Sequence, residues 1–222
     1  TRYRNNLLME GGTFYAGGNS AGTLAGCLIE GQTNTNGAPE NLSVAPAVSN
    51  SMTIVNSTIR RGYGKAVRKS GAGALALTNC LIHSFTDHGI VAATGAVSLV
   101  NVTVANNGGW GLTNTDGTVS LLNCIAWGNT NGGVSANCDL TYTCSQEAHA
   151  GAGNRNEDPL FRDAAAGDYR LTAASTCINA GLNEAWMAQA TDLDGERRLR
   201  GGTVDLGAYE APGPRGSLLM VR

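Results

Sequence analysis

Four ionisable side chains recur at intervals of twenty to thirty residues in the first half of the chain. They are Glu10, Glu30, Arg60 and His83. Two carboxylates beside a cation and an imidazole can act as acid and base on a sugar chain, or can hold a metal ion. Such chemistry needs the four residues to be lateral neighbours. Only a fold that stacks one coil of chain on the next would bring them together.

A second set of residues follows the same interval. Lys65, His88 and Trp110 are separated by 23 and 22 residues, and Asp87 adjoins His88. Charged groups interleaved with aromatic rings suit a surface that contacts polysaccharide. The candidate sugar-contacting residues are Arg60, His83, Asp87, His88, Trp110 and Trp127. The candidate catalytic residues are Glu10, Glu30, Arg60, His83, Lys65 and His88. A plain solvated surface is the alternative, because opposite charges on adjacent strands also stabilise a sheet.

These intervals belong to an internal repeat. Its copies begin at Asn6, Gly26, Asn56, Asn79, Asn101, Asn123 and Thr143. The four central asparagines are separated by 23, 22 and 22 residues. Each copy holds three short strand-like runs between turns of Gly, Asn, Ser and Thr, and no run of ten or more residues carries a helical stripe.

The repeat predicts the fold, because so short a strand can pair with its own copy one coil away. We expect an all-β chain forming a right-handed parallel β-helix of about seven rungs, each of about 22 residues and stacked about 4.8 Å apart. Residues 1–154 are assigned to the rungs, with a loop insertion at 32–50. Residues 155–210 are expected to cap the open end of this solenoid, whose strand edges are unpaired, and residues 211–222 form a tail.

The recurrent asparagine is expected to face the inside of the solenoid. A bend leaves backbone N–H and C=O groups unpaired, and an inward amide can bond to them and to the amide of the next rung. The predicted ladder comprises Asn6, Asn56, Asn79, Asn101 and Asn123. Cys27, Cys80 and Cys124 directly follow the ladder position and are predicted to be buried free thiols.

Calcium is the one metal for which the sequence offers ligands. Asp192-Leu193-Asp194-Gly195 is similar to half of a calcium loop, so Asp192 and Asp194 are candidate Ca²⁺ ligands. Aspartates that cap a tight turn are the alternative. Zinc is not expected, since there is no Cys-x-x-Cys pair and the three His residues lack ligand spacing to the cysteines. No other cofactor is predicted.

The C-terminal third holds five sequence blocks in a specific order. They are Glu157-Asp158-Pro159-Leu160-Phe161, Gly167-Asp168-Tyr169-Arg170-Leu171, Ser175-Thr176-Cys177-Ile178-Asn179-Ala180-Gly181, Thr191-Asp192-Leu193-Asp194-Gly195-Glu196-Arg197-Arg198 and Val204-Asp205-Leu206-Gly207-Ala208-Tyr209-Glu210. This order resembles the C-terminal region of bacterial choice-of-anchor Q proteins, which are β-helix surface proteins with pectate-lyase-like topology. The resemblance covers about residues 50–210 and implies export to the cell surface. A disulfide between Cys144 and Cys177 suits it, and Cys138–Cys177 is the rival pairing.

Composition excludes some function classes. The net charge of −2 excludes a nucleic-acid binder that works by bulk charge, and no apolar run approaches the ~20 residues that span a bilayer. Our leading hypothesis is an exported, non-catalytic module that contacts polysaccharide or a cell-envelope component. A polysaccharide lyase or glycoside hydrolase is the second hypothesis. The third is a structural stalk that self-associates through the solenoid ends.

Overall fold

A computed structural model of the chain describes residues 2–4, 14–18, 22–31, 40–46, 51–200 and 202–212, with side chains for 22–31, 51–200 and 202–212. The strands are β1 (Arg2–Arg4), β2 (Phe14–Gly18), β3 (Gly22–Ala25), β4 (Leu28–Glu30), β5 (Glu40–Pro46), β6 (Met52–Val55), β7 (Thr58–Gly62), β8 (Lys65–Lys69), β9 (Ala74–Thr78), β10 (Leu81–Phe85), β11 (Ile90–Val100), β12 (Thr103–Ala105), β13 (Trp110–Leu122), β14 (Ile125–Trp127), β15 (Gly132–Val134), β16 (Asp139–Thr141), β17 (Cys144–Ser145), β18 (Phe161–Asp163) and β19 (Asp168–Leu171). A 3-10 helix spans Ala185–Gln189. No helix in these ranges is long and apolar enough to cross a membrane.

The strands from β1 to β17 form a parallel β-helix, which confirms the predicted fold class. Each strand pairs in parallel with its copy one coil away, so that Ile82 lies between Ile59 and Val104. One sheet follows the order β17-β14-β12-β10-β7-β4. The other two sides of each coil belong to a larger sheet, in which β11 and β13 run around a corner without interruption. The buried apolar residues of successive coils fill the interior.

The solenoid has fewer regular coils than the seven predicted. About four successive coils begin at Asn56, Asn79, Asn101 and Asn123 in the described residues, the last of them shorter than the others, and the rung at Asn6 lies outside those residues. The predicted loop insertion 32–50 also differs from expectation, because it contains strand β5. That strand pairs with β2 and β8 and therefore adds a side to the coil rather than projecting from it.

The last coil is shifted by one residue from the predicted alignment. Cys144 pairs with Ile125, so Tyr142 occupies the asparagine position and Thr143 occupies the position of Cys124. The backbone at Tyr142 has a φ of 47°, which matches the turn at the asparagines. Cys144 therefore points out of the solenoid toward the C-terminal region, where Cys177 also lies.

The asparagine ladder faces outward, so the prediction of inward amides is wrong. Asn56, Asn79, Asn101 and Asn123 have left-handed φ values between 48° and 54°, a conformation that Asn tolerates better than most residues. This turn places the following residue inside the core, as at Cys80, and leaves the amide outside. The amides do stack: Asn79 Nδ2 donates to Asn56 Oδ1 at 3.0 Å, and Asn101 Nδ2 donates to Asn79 Oδ1 at 3.3 Å.

A second asparagine pair does face inward, although it was not predicted. Asn107 and Asn129 are buried at adjacent coils, and Asn107 Nδ2 donates to Asn129 Oδ1 at 2.9 Å. Asn107 Oδ1 accepts the N–H of Phe85, and Gln146 Oε1 accepts the N–H of Asn129. These amides satisfy the backbone groups of a corner between two sheets, which is the role that the sequence assigned to the other ladder.

The C-terminal region packs along the side of the solenoid instead of over its end. Asn79 Nδ2 donates to the carbonyl of Thr191, and Asn123 exchanges two hydrogen bonds with the backbone of Leu182. The N–H of Ala208 donates to Thr103 Oγ1 on the coil between them. The end itself is covered by a nearer segment, since Arg155 bonds to the backbone of Thr143 and Ser145 in the last rung. The amides of Asn79, Asn101 and Asn123 are buried by this lateral packing, whereas Asn56 remains exposed.

Candidate carbohydrate-binding surfaces

The first column of candidate residues lies on consecutive strands of the smaller sheet. Arg60 pairs with Glu30 on one side and with His83 on the other, and Ala105 and Trp127 follow. Glu10 lies outside the described residues. Arg60 Nε donates to Glu30 Oε1 at 2.6 Å, and both side chains are partly exposed. The two charges neutralise each other, so neither is free to act alone as an acid or a base.

His83 is covered by the C-terminal region. Only 4% of the residue is exposed, its ring centroid lies 4.8 Å from that of Tyr169, and Nδ1 is 2.8 Å from Ser84 Oγ. Burial is the main cause that lowers the pKa of His83 to about 4, and the positive charges of Arg60 and Arg61 contribute to the same shift. His83 is therefore a neutral packing residue at neutral pH. Its assignments as a catalytic and a sugar-contacting residue are not compatible with this position.

Because His83 is buried in its neutral form, we expect the folded protein to become less stable at acidic pH. The unfolded chain binds a proton at His83 below its ordinary pKa of about 6.5, whereas the folded protein resists protonation until about pH 4. The free energy of unfolding is therefore expected to fall by up to about 3 kcal/mol as pH decreases through this window. Urea unfolding measured between pH 7 and pH 4 checks it. His83→Phe should remove this part of the slope and His88→Phe should keep it; identical slopes in both variants would contradict the assignment.

Trp127 is also drawn into the packing beneath the C-terminal region. It is half-buried against a cluster that includes Ile125, Leu171 and Cys177. The first column is thus divided: Glu30 and Arg60 are accessible, whereas His83 and Trp127 contact the protein's own C-terminal residues. A continuous sugar-binding face along this sheet, as the sequence predicted, would have to pass through those residues.

The second column remains at the surface. His88 lies between Lys65 and Trp110 on adjacent coils, joined by backbone hydrogen bonds. Asp87 Oδ2 is 3.0 Å from Lys65 Nζ, and Asp87 Oδ1 is 3.0 Å from His88 Nδ1. Burial alone would raise the pKa of Asp87, but the hydrogen bond from Lys65 and the charges of His88 and Lys65 bring it below its usual value. The carboxylate therefore stays ionised.

The two rings of this column pack against the glycines of the next coil. A Cβ at Gly109 would lie 1.9 Å from His88 Nδ1, and one at Gly132 would lie 2.4 Å from Trp110 Cζ3. Only glycine leaves room for the rings at these points, and Gly132 also has a φ of 138°. The N–H of Trp110 points at His88 Nδ1 from 3.1 Å, which holds the two rungs in register.

Glu147 extends this column by one coil and was not predicted. Its carboxylate accepts N–H groups of Gly133 and Val134 and the hydroxyl of Ser145. A Cβ at Gly132 would lie 2.3 Å from Glu147 Oε1, so Glu147 and Trp110 meet over this glycine. The shifted last coil hid Glu147 from the repeat alignment. We call Lys65, Asp87, His88, Trp110 and Glu147 the corner strip.

Cys144 and Cys177 are adjacent. All six cysteines are free thiols in the structure, and the disulfide stays a prediction. The two side chains form a hydrogen bond that lowers the pKa of Cys177 and raises that of Cys144. Cys138 instead lies against the solenoid core, which favours the Cys144–Cys177 pairing over its rival.

The two candidate calcium ligands are engaged by the protein. Asp192 accepts N–H groups from Asp194, Glu196 and Glu210. Asp194 receives two hydrogen bonds from the Arg170 guanidinium, at 2.6 and 2.7 Å. No three His, Cys, Asp or Glu side chains are grouped to hold a metal ion within the ranges described. These contacts match the alternative interpretation, in which the aspartates cap a tight turn.

The fold and these surfaces define an all-β protein of the parallel β-helix class. Among solved structures, the crystal structure of pectate lyase Pel9A is similar to this chain, with a TM-score of 0.44 and 14% sequence identity over 93% of this chain and 88% of that chain. No protein-family model matches the sequence. No curated protein matches it either.

Proposed function

We propose that the protein is an exported, non-catalytic β-helix module that contacts polysaccharide of the cell envelope or its surroundings through the corner strip. The observation that carries the proposal is that the rings of His88 and Trp110 lie on consecutive coils against Gly109 and Gly132, where a larger residue would collide with them. These rings, flanked by Lys65, Asp87 and Glu147, offer apolar surface and polar groups to successive sugars. Export is part of the proposal through the resemblance to choice-of-anchor Q surface proteins.

The non-catalytic part of the proposal rests on how the acidic and basic groups are distributed. Glycoside cleavage needs an acid and a base that converge on one bond, commonly two carboxyl groups. Glu30 is neutralised by Arg60, and His83 is buried beneath Tyr169. The corner strip is a row of side chains on successive coils of the solenoid. We infer contact over an extended surface rather than turnover.

A polysaccharide lyase or hydrolase is the alternative, and the contact between Asp87 and His88 favours it. Asp87 Oδ1 lies 3.0 Å from His88 Nδ1, so a carboxylate and an imidazole, two groups that can serve as acid and base, lie side by side. Lys65, 3.0 Å from the same carboxylate, would supply a cation near a sugar carboxylate or a leaving oxygen. This alternative uses Lys65 and His88 of the predicted catalytic set.

Replacing Trp110 by alanine is expected to weaken polysaccharide binding by about tenfold, because the variant loses the larger ring of the strip. The measurement is affinity electrophoresis or calorimetry with a panel of acidic and neutral polysaccharides. The ultraviolet absorbance of unsaturated products and the number of reducing ends are followed in the same samples. Trp110→Phe should retain most of the affinity, and Leu182→Ala, an exposed apolar residue outside the strip, should retain all of it.

Two results would overturn the proposal. Unchanged binding by Trp110→Ala to every polysaccharide that binds the native protein would remove the corner strip from the interaction. New absorbance or reducing ends, lost in His88→Ala, would establish the enzymatic alternative.

A further inference from the structure

A groove separates the solenoid from the 3-10 helix of the C-terminal region. It has a volume of about 530 Å³, and its lining includes Val55, Asn56, Thr78 and Val100 of the solenoid and Trp186 and Gln189 of the C-terminal region. Its floor consists of the outward side chains at the ends of β6, β9 and β11, which are neighbours on successive coils. Its size is typical of small-molecule sites. It is separate from the corner strip, with which it shares no residue.

The lining residues carry no charged side chain. They combine valine methyl groups and an indole ring with amides and threonine hydroxyls. An ionised ligand would lose its hydration in this groove without gaining a counter-charge. A ligand with apolar faces and many hydroxyl groups would be matched by the same lining, because side-chain amides and hydroxyls both donate and accept hydrogen bonds.

Among the residues that the structure describes, two amides of the groove have hydrogen-bonding capacity to spare. Asn56 is the exposed end of the asparagine ladder: its Oδ1 accepts from Asn79, while its Nδ2 has no partner in the described part of the chain. Gln189 is exposed on the opposite wall, and its amide has no partner there either. Asn79 and Asn123 are bonded to the C-terminal region and Asn101 is buried between them, so the groove is where the ladder becomes accessible.

Trp186 provides a fixed aromatic wall. Trp186 is 41% exposed, which is unusual for a large apolar ring. Its Nε1–H donates to Glu184 Oε2 at 2.7 Å, which satisfies the polar edge of the ring and leaves the faces available. A ring held in this way loses little conformational entropy when a ligand stacks on it.

We propose that this groove binds an uncharged sugar unit of a neutral glycan, with the Trp186 ring against an apolar face of the sugar and Asn56 and Gln189 bonded to its hydroxyls. The site is distinct from the corner strip and does not depend on it. The protein would then hold a glycan at two places on different sides of the solenoid.

The test uses the indole N–H signals of the full chain in NMR spectra, assigned with Trp186→Phe. The probes are neutral oligosaccharides of glucose, mannose and galactose, with oligogalacturonate as the acidic comparator. We expect at least one neutral probe to shift the Trp186 signal. Trp186→Ala should weaken its binding by about tenfold. Leu182→Ala is the matched control, because it removes an exposed apolar side chain of the same region, 42% exposed, that does not line the groove.

Trp110→Ala should leave this interaction unchanged. The proposal for the corner strip and the proposal for the groove can therefore fail independently, because each is tested with its own variant. Gln189→Ala, which removes an exposed amide without a partner, is expected to weaken binding as well and serves if Trp186→Ala does not fold. The proposal is overturned if no neutral probe shifts Trp186, if oligogalacturonate alone shifts it, or if neither groove variant lowers the affinity.

Discussion

Replacing Arg198 by methionine is expected to lower the free energy of unfolding by about 3–5 kcal/mol, because four buried hydrogen bonds are lost together. Arg198 is fully buried, and its guanidinium makes four hydrogen bonds to the protein. It donates to Asn79 Oδ1 on the solenoid, at 3.0 Å, and to Glu210 Oε1, at 2.9 Å. The other two bonds reach the carbonyls of Gly207 and Ala208. Methionine fills a similar volume but would leave these acceptors buried and unpaired.

The state of Glu210 limits the effect of the substitution. Burial, followed by the charge of Asp205, raises the pKa of Glu210 to about 8, and the Arg198 charge opposes this rise. Without the guanidinium the pKa would rise further, and the carboxyl group would take up a proton rather than remain a lone buried charge. The destabilisation therefore arises from lost hydrogen bonds between the ladder and the C-terminal region more than from an uncompensated anion.

Urea unfolding of Arg198→Met beside Arg200→Met provides the measurement. Arg200 pairs with Glu196 at the surface, and such exposed pairs contribute about 0–1 kcal/mol. A stability loss in Arg198→Met that is no larger than the loss in Arg200→Met would show that the buried bonds do not hold the C-terminal region in place. Arg198→Lys should recover only part of the loss, because an ammonium group cannot reproduce the fork of the guanidinium.

Oxidation is expected to join Cys144 to Cys177 and to stabilise the protein by about 3–4 kcal/mol. The cross-link would close a loop whose ends are 33 residues apart and would tie the C-terminal region to the last rung. Both thiols are buried and hydrogen-bonded to each other, and the bonds from Cys144 and Ser175 stabilise the thiolate of Cys177. Cys177 is therefore the thiol that would attack an oxidised partner.

The check is alkylation of the oxidised, denatured protein without reduction. All cysteines except Cys144 and Cys177 should be labelled, and reduction should lower the urea midpoint. Cys138→Ser should keep the cross-link and the midpoint, whereas Cys144→Ser should lose both. Labelling of all six cysteines after exposure to oxidised glutathione would contradict the prediction.

The neighbours within the solenoid followed from the sequence. Residues 22 or 23 positions apart, such as Arg60 and His83 or His88 and Trp110, lie on adjacent coils because each coil pairs only with its copies above and below. Within one strand, successive side chains alternate between the inside and the outside of the solenoid, so the pattern of apolar residues shows which ones face inward. The shift at Tyr142 arose where the repeat itself became irregular.

Accessibility did not follow from the repeat. His83 and His88 both belong to outward columns, yet one is buried beneath Tyr169 and the other remains at the surface. Trp186 and Gln189 could not be placed near Asn56 from the sequence, since they lie in a segment without periodicity. The only hint in the sequence was a tryptophan within a polar segment, and that hint does not tell which part of the solenoid lies opposite Trp186.

By itself the sequence determined the parallel β-helix, its register over the regular coils and the residues that share each column, because a periodic chain stacks on its own copies. Only the tertiary structure decided which columns remain open. The hydrogen bond between Arg198 and Asn79 joins residues 119 positions apart, and no repeat relates them. Such contacts depend on how two surfaces fit and on which buried polar groups find partners. That fit places the C-terminal region over His83 and leaves the groove at Asn56 beside Trp186.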